Sequence, residues 1–448
     1  LIIFGAVFFI EILKEKGQIK NIQSLLSVIS DDARIQAIII AFLFGSLIEG
    51  IAGFGTPVAL AAPLLVSIGF TPFLAVVLSL IANSTAVSFG AAGTPILLGL
   101  GGLGFTKEII MEVTKNTALI HTFASSIIPL TLVYLVISHS KAKSKWKSFV
   151  KISPFAVFAW LSFIVPYFLI AFFIGPELPS IAGGFIGLIV VSIAAHYGFL
   201  VPREKISFSK GKSRVKFSPG KALKATSPYL IIIVLLLLSR VVFPIKNFLM
   251  SVDLSWGGIF GTDVGYSFLP LYTPSFYFLL SAVFCVFIFK SKIAETKKAF
   301  TRTYNKIKNP LIALIFTLAL VQLLIISEIL ILLANAFSVI FKQGFAIVSP
   351  FIGAFGSFIA GSNTVSNLLF ASFQAETAKS LGLSLVVILS LQVVGGAIGN
   401  MIAIHNVLAA SATVGLKNQE GRIIRKTILI SLLYALVAGI IGFVLMSF

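Results

Sequence analysis

Residues 49–95 read EGIAGFGTPVALAAPLLVSIGFTPFLAVVLSLIANSTAVSFGAAGTP, and residues 361–406 read GSNTVSNLLFASFQAETAKSLGLSLVVILSLQVVGGAIGNMIAIHN. Each stretch contains a short cluster of Gly with Ser, Thr or Asn, then an apolar helix, then a second polar, glycine-rich break. Backbone that leaves helical bonding at membrane depth is tolerated only where protein buries it or where it lines a watery cavity. Two matched pairs of breaks therefore predict a binding site inside a membrane protein.

The composition outside these stretches also indicates a polytopic helical membrane protein. Of the 448 residues, 58% are hydrophobic and 11% are charged, against about 25% charged residues in soluble proteins. Apolar runs near the length of a membrane-spanning helix, about 20 residues, recur along the chain. The net charge of +19 comes from Lys and Arg in short loops between these runs. This is the positive-inside pattern, so we expect a lipid bilayer and no nucleic acid as partner.

The distribution of charge predicts the orientation of the chain. Loops 141–151, 203–224 and 290–308 are basic, whereas segment 250–272 holds Asp253 and Asp263 and no Lys or Arg. We predict that the basic loops are cytoplasmic and that 250–272 is external, in the cytoplasmic membrane. Residue 1 is a Leu within an apolar run, so we expect further sequence before it.

The breaks predict two re-entrant helical hairpins, 35–69 and 343–376, each followed by a broken helix, 72–104 and 382–413. The second arm of the first hairpin, 58–69, would be about 18 Å long, too short for a hydrocarbon core of about 30 Å. The number of spans alone also permits each hairpin to be two full spans.

The two stretches also predict an inverted repeat. Ile51-Ala52-Gly53 corresponds to Ile359-Ala360-Gly361, and Thr56 corresponds to Thr364. With the basic loops inside, the two hairpins enter the membrane from opposite sides. The predicted fold is therefore an all-α membrane protein with two inverted repeats, 1–140 and 225–448, joined by spans and basic loops in 141–224. Chance similarity of glycine-rich apolar sequence is the alternative.

Inverted repeats would bring the four breaks to one place, where we predict the substrate site. Glycines let backbone approach a ligand closely, and the N-termini of half-helices offer free N–H groups and a positive dipole end that suits a carboxylate. Neither stretch contains Arg, and the only Lys is Lys379. Packing of helices by small residues is the alternative for any single position. The candidate residues are Gly53, Gly55, Thr56, Asn83, Ser84, Thr85, Gly93, Thr94, Ser362, Asn363, Thr364, Gly399, Asn400, His405 and Asn406.

Three residues are candidates for proton coupling: Glu49, His121 and His405. Glu49 is the only charged residue between Arg34 and Lys107, and an acid inside the membrane is a functional candidate. Histidine titrates in the range that a proton relay needs. The alternatives are that Glu49 braces the hairpin backbone and that the histidines are structural. The pattern predicts no metal and no cofactor.

Several long motifs in the sequence resemble those of a known protein family. Arg34-Ile-Gln, FGSLIEGIAGFGTPVALAAPLL (44–65), LIANSTAVSFGAAGTPI (80–96) and GGAIGNMIAIHNVLAASATVGL (395–416) resemble the bacterial and archaeal L-lactate permease family. The resemblance covers nearly the whole chain. It implies a symporter of the cytoplasmic membrane that moves lactate, and often glycolate, with protons.

A second, wider resemblance concerns the polar breaks. The GSNT and NST clusters are similar to the Ser-Asn-Thr tips of sodium-coupled dicarboxylate transporters. That similarity implies a scaffold and a transport domain with elevator-like movement, and it leaves sodium open as the coupling ion.

The expected function is therefore a secondary transporter that imports a short 2-hydroxy monocarboxylate with protons. An anion channel is one alternative, although a channel has no need of closed, paired hairpins. An intramembrane hydrolase using Ser362 or Ser84 with His405 is another, although no acid in the sequence clearly orients a histidine. We do not expect an enzyme.

Overall fold

The computed structural model describes residues 2–27, 29–53, 55–208, 219–257 and 266–446. Asp263 and much of the basic loop 203–224 lie outside these residues, as does Phe54 between the two glycines of the first tip. The α-helices in chain order are α1 Ile2–Glu15, α2 Gln18–Ser27, α3 Ala33–Ala37, α4 Gly45–Ala52, α5 Thr56–Ser67, α6 Pro72–Asn83, α7 Gly90–Leu97, α8 Lys107–Ala124, α9 Ile127–Ser138, α10 Lys145–Phe173, α11 Pro179–His196, α12 Pro219–Val241, α13 Phe243–Ser251, α14 Pro274–Ile288, α15 Ile293–Ile326, α16 Ile329–Phe341, α17 Phe345–Ala360, α18 Asn363–Leu381, α19 Leu385–Gly399, α20 Ile404–Thr413 and α21 Glu420–Leu445.

Helices account for nearly all of the regular structure that is described. A π-helix covers Ile38–Phe44 between α3 and α4, and a 3-10 helix covers Ala86–Phe89 between α6 and α7. Further 3-10 turns lie at Gly101–Leu103 and Lys342–Gly344. Two short antiparallel strands, β1 Leu254–Trp256 and β2 Tyr266–Phe268, pair with each other in the predicted external segment.

The described helices confirm an all-α, multi-pass membrane protein. Nine helical segments among the described residues are long and apolar enough to cross a membrane, or ten if α12 and α13 count together as one span. The inverted repeat and the re-entrant placement of the hairpins stay predictions.

The chain forms two compact units. The first combines the described parts of residues 1–23 and 216–311, and α1 packs along α14 in it. Ion pairs join α1 to the start of α15: the Glu11 carboxylate lies 2.6 Å from Lys306 Nζ, and the Glu15 carboxylate lies 2.7 Å from Arg302.

The second compact unit combines the described parts of residues 24–215 and 312–448 and contains all four polar breaks. Close helix packing in this unit depends on glycine. A Cβ atom at Gly353 would meet the backbone of α19, and a Cβ atom at Gly184 would meet the backbone at Leu47. The division into units cuts across the predicted repeat boundaries, which stay a prediction.

The break regions follow the prediction closely. In the first hairpin, α4 ends at Ala52 and Gly53 follows with φ of 56°. Gly55 has φ of 74°, and α5 begins after it at Thr56. In the second hairpin, α17 ends at Ala360, Gly361 follows with φ of 71°, and α18 begins at Asn363. The polar clusters therefore end and start helices as predicted.

The apolar runs at 117–138, 228–248 and 310–334 each predict one continuous span, and the structure interrupts all three. The span at 117–138 is two helices, α8 and α9, separated at Ser125 and Ser126. The span at 310–334 is interrupted at Glu328, which has a left-handed φ of 58°. The span at 228–248 bends by 86° between α12 and α13, because Pro244 lies in the first turn of α13 and cannot continue a preceding helix.

Candidate functional site

The tips and the broken helices meet around one small, partly open cavity in the second compact unit. Its empty volume is about 290 Å³, counted out to its opening. The cavity is lined by Glu49, Gly53, Val87, Gly90, Ala91, Thr94, Pro95, Gly361, Ser362, Asn363, Thr364 and Asn400. Residues from both sequence stretches therefore share one small space.

Glu49 forms one wall of the cavity from the last turns of α4. The residue is 3% exposed, and Asn83 Nδ2 donates a hydrogen bond of 2.8 Å to its Oε2. A Cβ atom at Gly90 would collide with the Glu49 carboxyl group, so glycine at position 90 is what leaves room for the acid. No described Lys, Arg or His side chain forms an ion pair with Glu49.

The break between α6 and α7 forms the second wall. Ala91 and Ala92 both have left-handed backbone, with φ of 43° and 52°, a conformation that costs about 1–3 kcal/mol per residue and concentrates at functional sites. Gly93 follows with φ of 77°, and a Cβ atom there would lie 2.5 Å from the Pro176 carbonyl oxygen. The turn before α11 therefore packs too closely against this segment for any side chain at position 93.

The N-terminus of α18 forms the third wall. Ser362 precedes the helix in extended conformation, and no side chain caps the first turn. Asn363 is held in place because its Nδ2 donates to the Val393 carbonyl oxygen at 3.1 Å. The free N–H groups and the positive end of the helix dipole thus lie beside the cavity, an arrangement that suits a carboxylate.

Hydroxyl groups from distant helices donate to backbone carbonyl groups at the break between α6 and α7. Tyr167 of α10 donates to the Thr85 carbonyl oxygen at 3.1 Å, and Ser180 of α11 donates to the Ala86 carbonyl oxygen at 2.7 Å. Nothing in the sequence marked these two residues as part of the site. A hydrogen bond contributes about 0.5–1.5 kcal/mol net, so both donors stabilise the break.

His121 lies behind the break and does not line the cavity. The residue is fully buried, its Nε2 lies 2.8 Å from Ser88 Oγ, and its Nδ1 lies 2.7 Å from Tyr434 OH. Tyr434 OH also lies 3.2 Å from Thr85 Oγ1. The imidazole therefore links the break to α21. Because the partner of Nδ1 is a phenol group and not a carboxylate, Ser88 and His121 do not form the acid-oriented pair of a serine hydrolase.

A network of buried side-chain amides connects the second hairpin to α7, which follows the break in the first broken helix. Gln374 donates to Gln392, which donates to Asn367 Oδ1 at 3.2 Å. Asn367 Nδ2 donates in turn to the Pro95 carbonyl oxygen at 2.8 Å. These three side chains were not predicted as site residues, although an amide in an apolar helix is a visible signal in the sequence.

The predicted site residues fall into two groups. Those lining the cavity are Gly53, Thr94, Ser362, Asn363, Thr364, Asn400 and Glu49. Those that support it or lie apart are Gly55, Thr56, Asn83, Ser84, Thr85, Gly93, Gly399, His405, Asn406 and His121.

The members of the second group have separate roles. Asn406 Nδ2 donates to the Asn400 carbonyl oxygen at 3.1 Å. Ser84 donates to the carbonyl oxygen of Ile81 in its own helix. Thr56 begins α5, and its backbone N–H donates to the Gly53 carbonyl oxygen at 3.0 Å. His405 is exposed, and its imidazole lies beside Gly361 at the second tip.

Two solved structures have a fold similar to that of the chain. The chain aligns over all of its length with the transporter YdaH of Alcanivorax borkumensis, with a TM-score of 0.52, 13% identity and 85% of that chain covered. It aligns equally with MtrF of Neisseria gonorrhoeae, described as one of a class of antimetabolite efflux pumps, with a TM-score of 0.51, 15% identity and 81% coverage of that chain. At these identities the likeness concerns the fold alone.

Comparison of sequences finds relatives with higher identity to the chain than these two solved structures have. It is 35% identical over 464 residues to a Haemophilus influenzae protein whose name assigns it provisionally to the L-lactate permeases, with 98% of this chain and 85% of that protein covered. It is 30% identical to the glycolate permease GlcA of Escherichia coli, with 98% and 83% covered. The family described as L-lactate permease matches residues 1–448. The chain therefore belongs to the L-lactate permease family.

Proposed function

We propose that this protein is a secondary active transporter that imports L-lactate, or a related short 2-hydroxy monocarboxylate such as glycolate, across the cytoplasmic membrane by proton symport. The observation that carries the proposal is the shared cavity of Glu49 and the uncapped N-terminus of α18. Elevator-like alternating access, which the wider resemblance implies, is part of the proposal. The names of the relatives support the substrate class.

The substrate carboxylate would bind at the first turn of α18. No Lys or Arg is among the described residues that line the cavity, so backbone N–H groups and the helix dipole would supply the positive potential. The side chains of Ser362, Asn363 and Thr364 and the amide of Asn400 surround the same space and offer hydrogen bonds for the carboxylate and the 2-hydroxyl group.

Glu49 would carry the coupled proton. Two carboxylates in one small buried cavity repel each other, and they coexist readily only when one of them holds a proton. Binding of the anion and of the proton therefore favour each other. Moving the anion alone against an inside-negative potential costs about 2.3 kcal/mol per 100 mV, and a proton that travels with it removes this cost.

Sodium coupling is the second candidate, supported by two buried oxygen atoms without hydrogen-bond partners. Asn363 Oδ1 and Ser357 Oγ are both among the unpartnered atoms of the described residues, and both lie beside Gly396. Uncharged oxygen ligands of this kind suit a hard cation. An anion channel is a less favoured third reading, because uptake through a channel follows the electrochemical gradient of the anion alone.

Uptake of labelled L-lactate into proteoliposomes, under a proton gradient and separately under a sodium gradient, tests the proposal. We expect accumulation above the external concentration with the proton gradient alone, and competition by glycolate. Accumulation that follows only the sodium gradient would transfer the coupling role to the second candidate. Equilibration without accumulation under either gradient would contradict a symporter.

A further inference from the structure

A surface groove between α10 and residues 197–204 has no part in the proposed transport site. Its lining is almost entirely apolar, and its volume is about 990 Å³ counted out to its open side. Val157 and Leu161 form its floor on α10, and Phe199 and Leu200 form its opposite wall; these four side chains are 39–53% exposed. The groove is therefore open to the surroundings along an apolar face.

The chain holds this wall in a defined conformation. After α11 ends, Gly198 turns the chain with φ of 73°, and Phe199 N donates to the Ala194 carbonyl oxygen at 2.9 Å. Leu200 has a left-handed φ of 55°, which is unusual for a bulky residue. The Phe199 ring packs edge-on against Phe158 with the ring centres 5.3 Å apart. Hydrogen bonding and ring packing therefore fix the shape of this wall of the groove.

A cationic pocket continues the groove at one end. Pro154 and Leu200 line both cavities, so the two are continuous. The pocket adds Lys151, Arg203 and Glu204. Lys151 Nζ lies 3.1 Å from the Glu204 carboxylate. Arg203 is exposed and forms no ion pair with the described residues.

This end of the groove lies at the depth expected for lipid headgroups. The apolar part of α10, residues 152–173, is about 33 Å long at 1.5 Å per residue, which matches a hydrocarbon core of about 30 Å. Lys151 then lies at the edge of the core. Trp146 and Tyr197 are 72% and 82% exposed at the same end, as aromatic residues are at a membrane interface.

We infer that the groove binds one anionic phospholipid, with an acyl chain along Val157 and Leu161 and the phosphate group between Lys151 and Arg203. The apolar groove and the cationic pocket match the two ends of such a molecule. Glu204 offsets only one of the two cations, so a net positive charge remains for the phosphate.

The site is connected to the first hairpin by a buried ion pair. Arg34 is fully buried, lies 2.5 Å from the Asp32 carboxylate, and donates to the Glu204 carbonyl oxygen at 2.7 Å. Its other amino group donates to Ser148 Oγ at 3.1 Å. Residues 32–34 begin the arm that leads to Glu49. A lipid bound at 151–204 would therefore stabilise the entrance of that arm.

Binding of phosphatidylglycerol to the purified full chain in detergent tests the inference without reference to the transport substrate. The variant Lys151→Gln/Arg203→Gln removes both cations, and Lys143→Gln/Lys147→Gln makes the same charge change at exposed lysines outside the groove. Native mass spectrometry would count bound lipids, and the thermal midpoint would report stabilisation. A third variant, Leu161→Trp, fills the groove without changing charge.

We expect one tightly bound phosphatidylglycerol on the parent and on the Lys143/Lys147 variant. Because each basic group near an anionic surface contributes about 1 kcal/mol, the Lys151/Arg203 variant should bind about 30-fold more weakly. Leu161→Trp should also lose the tight site. Equal binding by all three variants, or equal binding of phosphatidylcholine by the parent, would overturn the inference. Equal stabilisation by glycerol phosphate would show a plain phosphate site and would overturn it as well.

Discussion

Replacing Glu49 by Gln tests the proposed coupling directly. Among the cavity-lining residues that the structure describes, the substitution removes the only ionisable side chain. Gln has nearly the same shape, and its amide oxygen can still accept the hydrogen bond from Asn83. We therefore expect the free energy of unfolding to change by less than about 1 kcal/mol.

The size of the effect on transport follows from the number of acids in the cavity. One acid predicts one proton for each lactate anion, so transport is electrically neutral. A gradient of one pH unit supplies about 1.4 kcal/mol per proton, which corresponds to about tenfold accumulation of lactate. Without the acid, the proton gradient no longer drives accumulation, and the ratio of internal to external lactate should fall to about one.

The assay is uptake into proteoliposomes under a gradient of one pH unit, with the membrane voltage clamped by potassium and valinomycin. Exchange of labelled for unlabelled lactate would be measured in the same vesicles. Glu49→Gln should retain exchange and lose accumulation. Glu112→Gln is the matched control, because Glu112 is 51% exposed and pairs with Lys115 on the surface of α8.

Two results would refute this reasoning. If Glu49→Gln accumulates lactate about tenfold under the pH gradient, Glu49 is a brace for the hairpin and the proton travels elsewhere. If the variant loses exchange together with accumulation while its thermal midpoint is unchanged, Glu49 is required for binding or movement and its proposed role as the proton carrier alone is wrong.

Three further predictions concern the walls of the site and the orientation of the chain. Gly90→Ala should abolish uptake and lower the thermal midpoint, because its methyl group would occupy the place of the buried carboxyl group. Ser180→Ala should raise the KM for lactate about two- to tenfold, because a hydrogen bond worth about 0.5–1.5 kcal/mol net is lost at the break between α6 and α7. Ser180→Thr keeps the hydroxyl group and should restore the KM. The control Ser162→Ala removes a bond within α10 and should leave the KM unchanged. In a background without cysteine, a membrane-impermeant reagent added from outside should label Ser255→Cys and spare Ser144→Cys, and the reverse pattern would invert the predicted orientation.

The breaks could be predicted from the sequence because they are encoded locally. Gly, Ser, Thr and Asn interrupt apolar runs at 53–57 and 361–364, and the helices end and begin at those positions. Glu49 was visible for the same reason, as one charge in a long apolar stretch. The rotation of a helix about its axis, by contrast, depends on the helices that pack against it and not on its own residues. For this reason His405 was predicted in the site, whereas its side chain is exposed beside it.

Other features had weak signals or none. The π-helix at Ile38–Phe44 lies within continuous apolar sequence, and all of its residues are buried. Apolar residues occupy every position there, so the hydrophobic pattern has no period that could distinguish a π-helix from an α-helix. The bend at Val242 did have a signal in Pro244. That signal was outweighed by the apolar run on both sides, although a residue close before a proline is restricted in its backbone conformation.

The residues that hold the site together show why local patterns stop short of a full description. A break frees carbonyl groups that must find donors inside the protein. At the break between α6 and α7, the chain adds two single hydroxyl donors, Tyr167 and Ser180, which lie 82 and 94 residues along the chain from the carbonyl groups that they bind. A serine or tyrosine in an apolar helix is unremarkable until its partner is known. The position of a break can therefore be predicted from its own residues, but its stability depends on tertiary contacts. Substitutions at these two hydroxyl groups should change substrate affinity although neither residue lines the cavity.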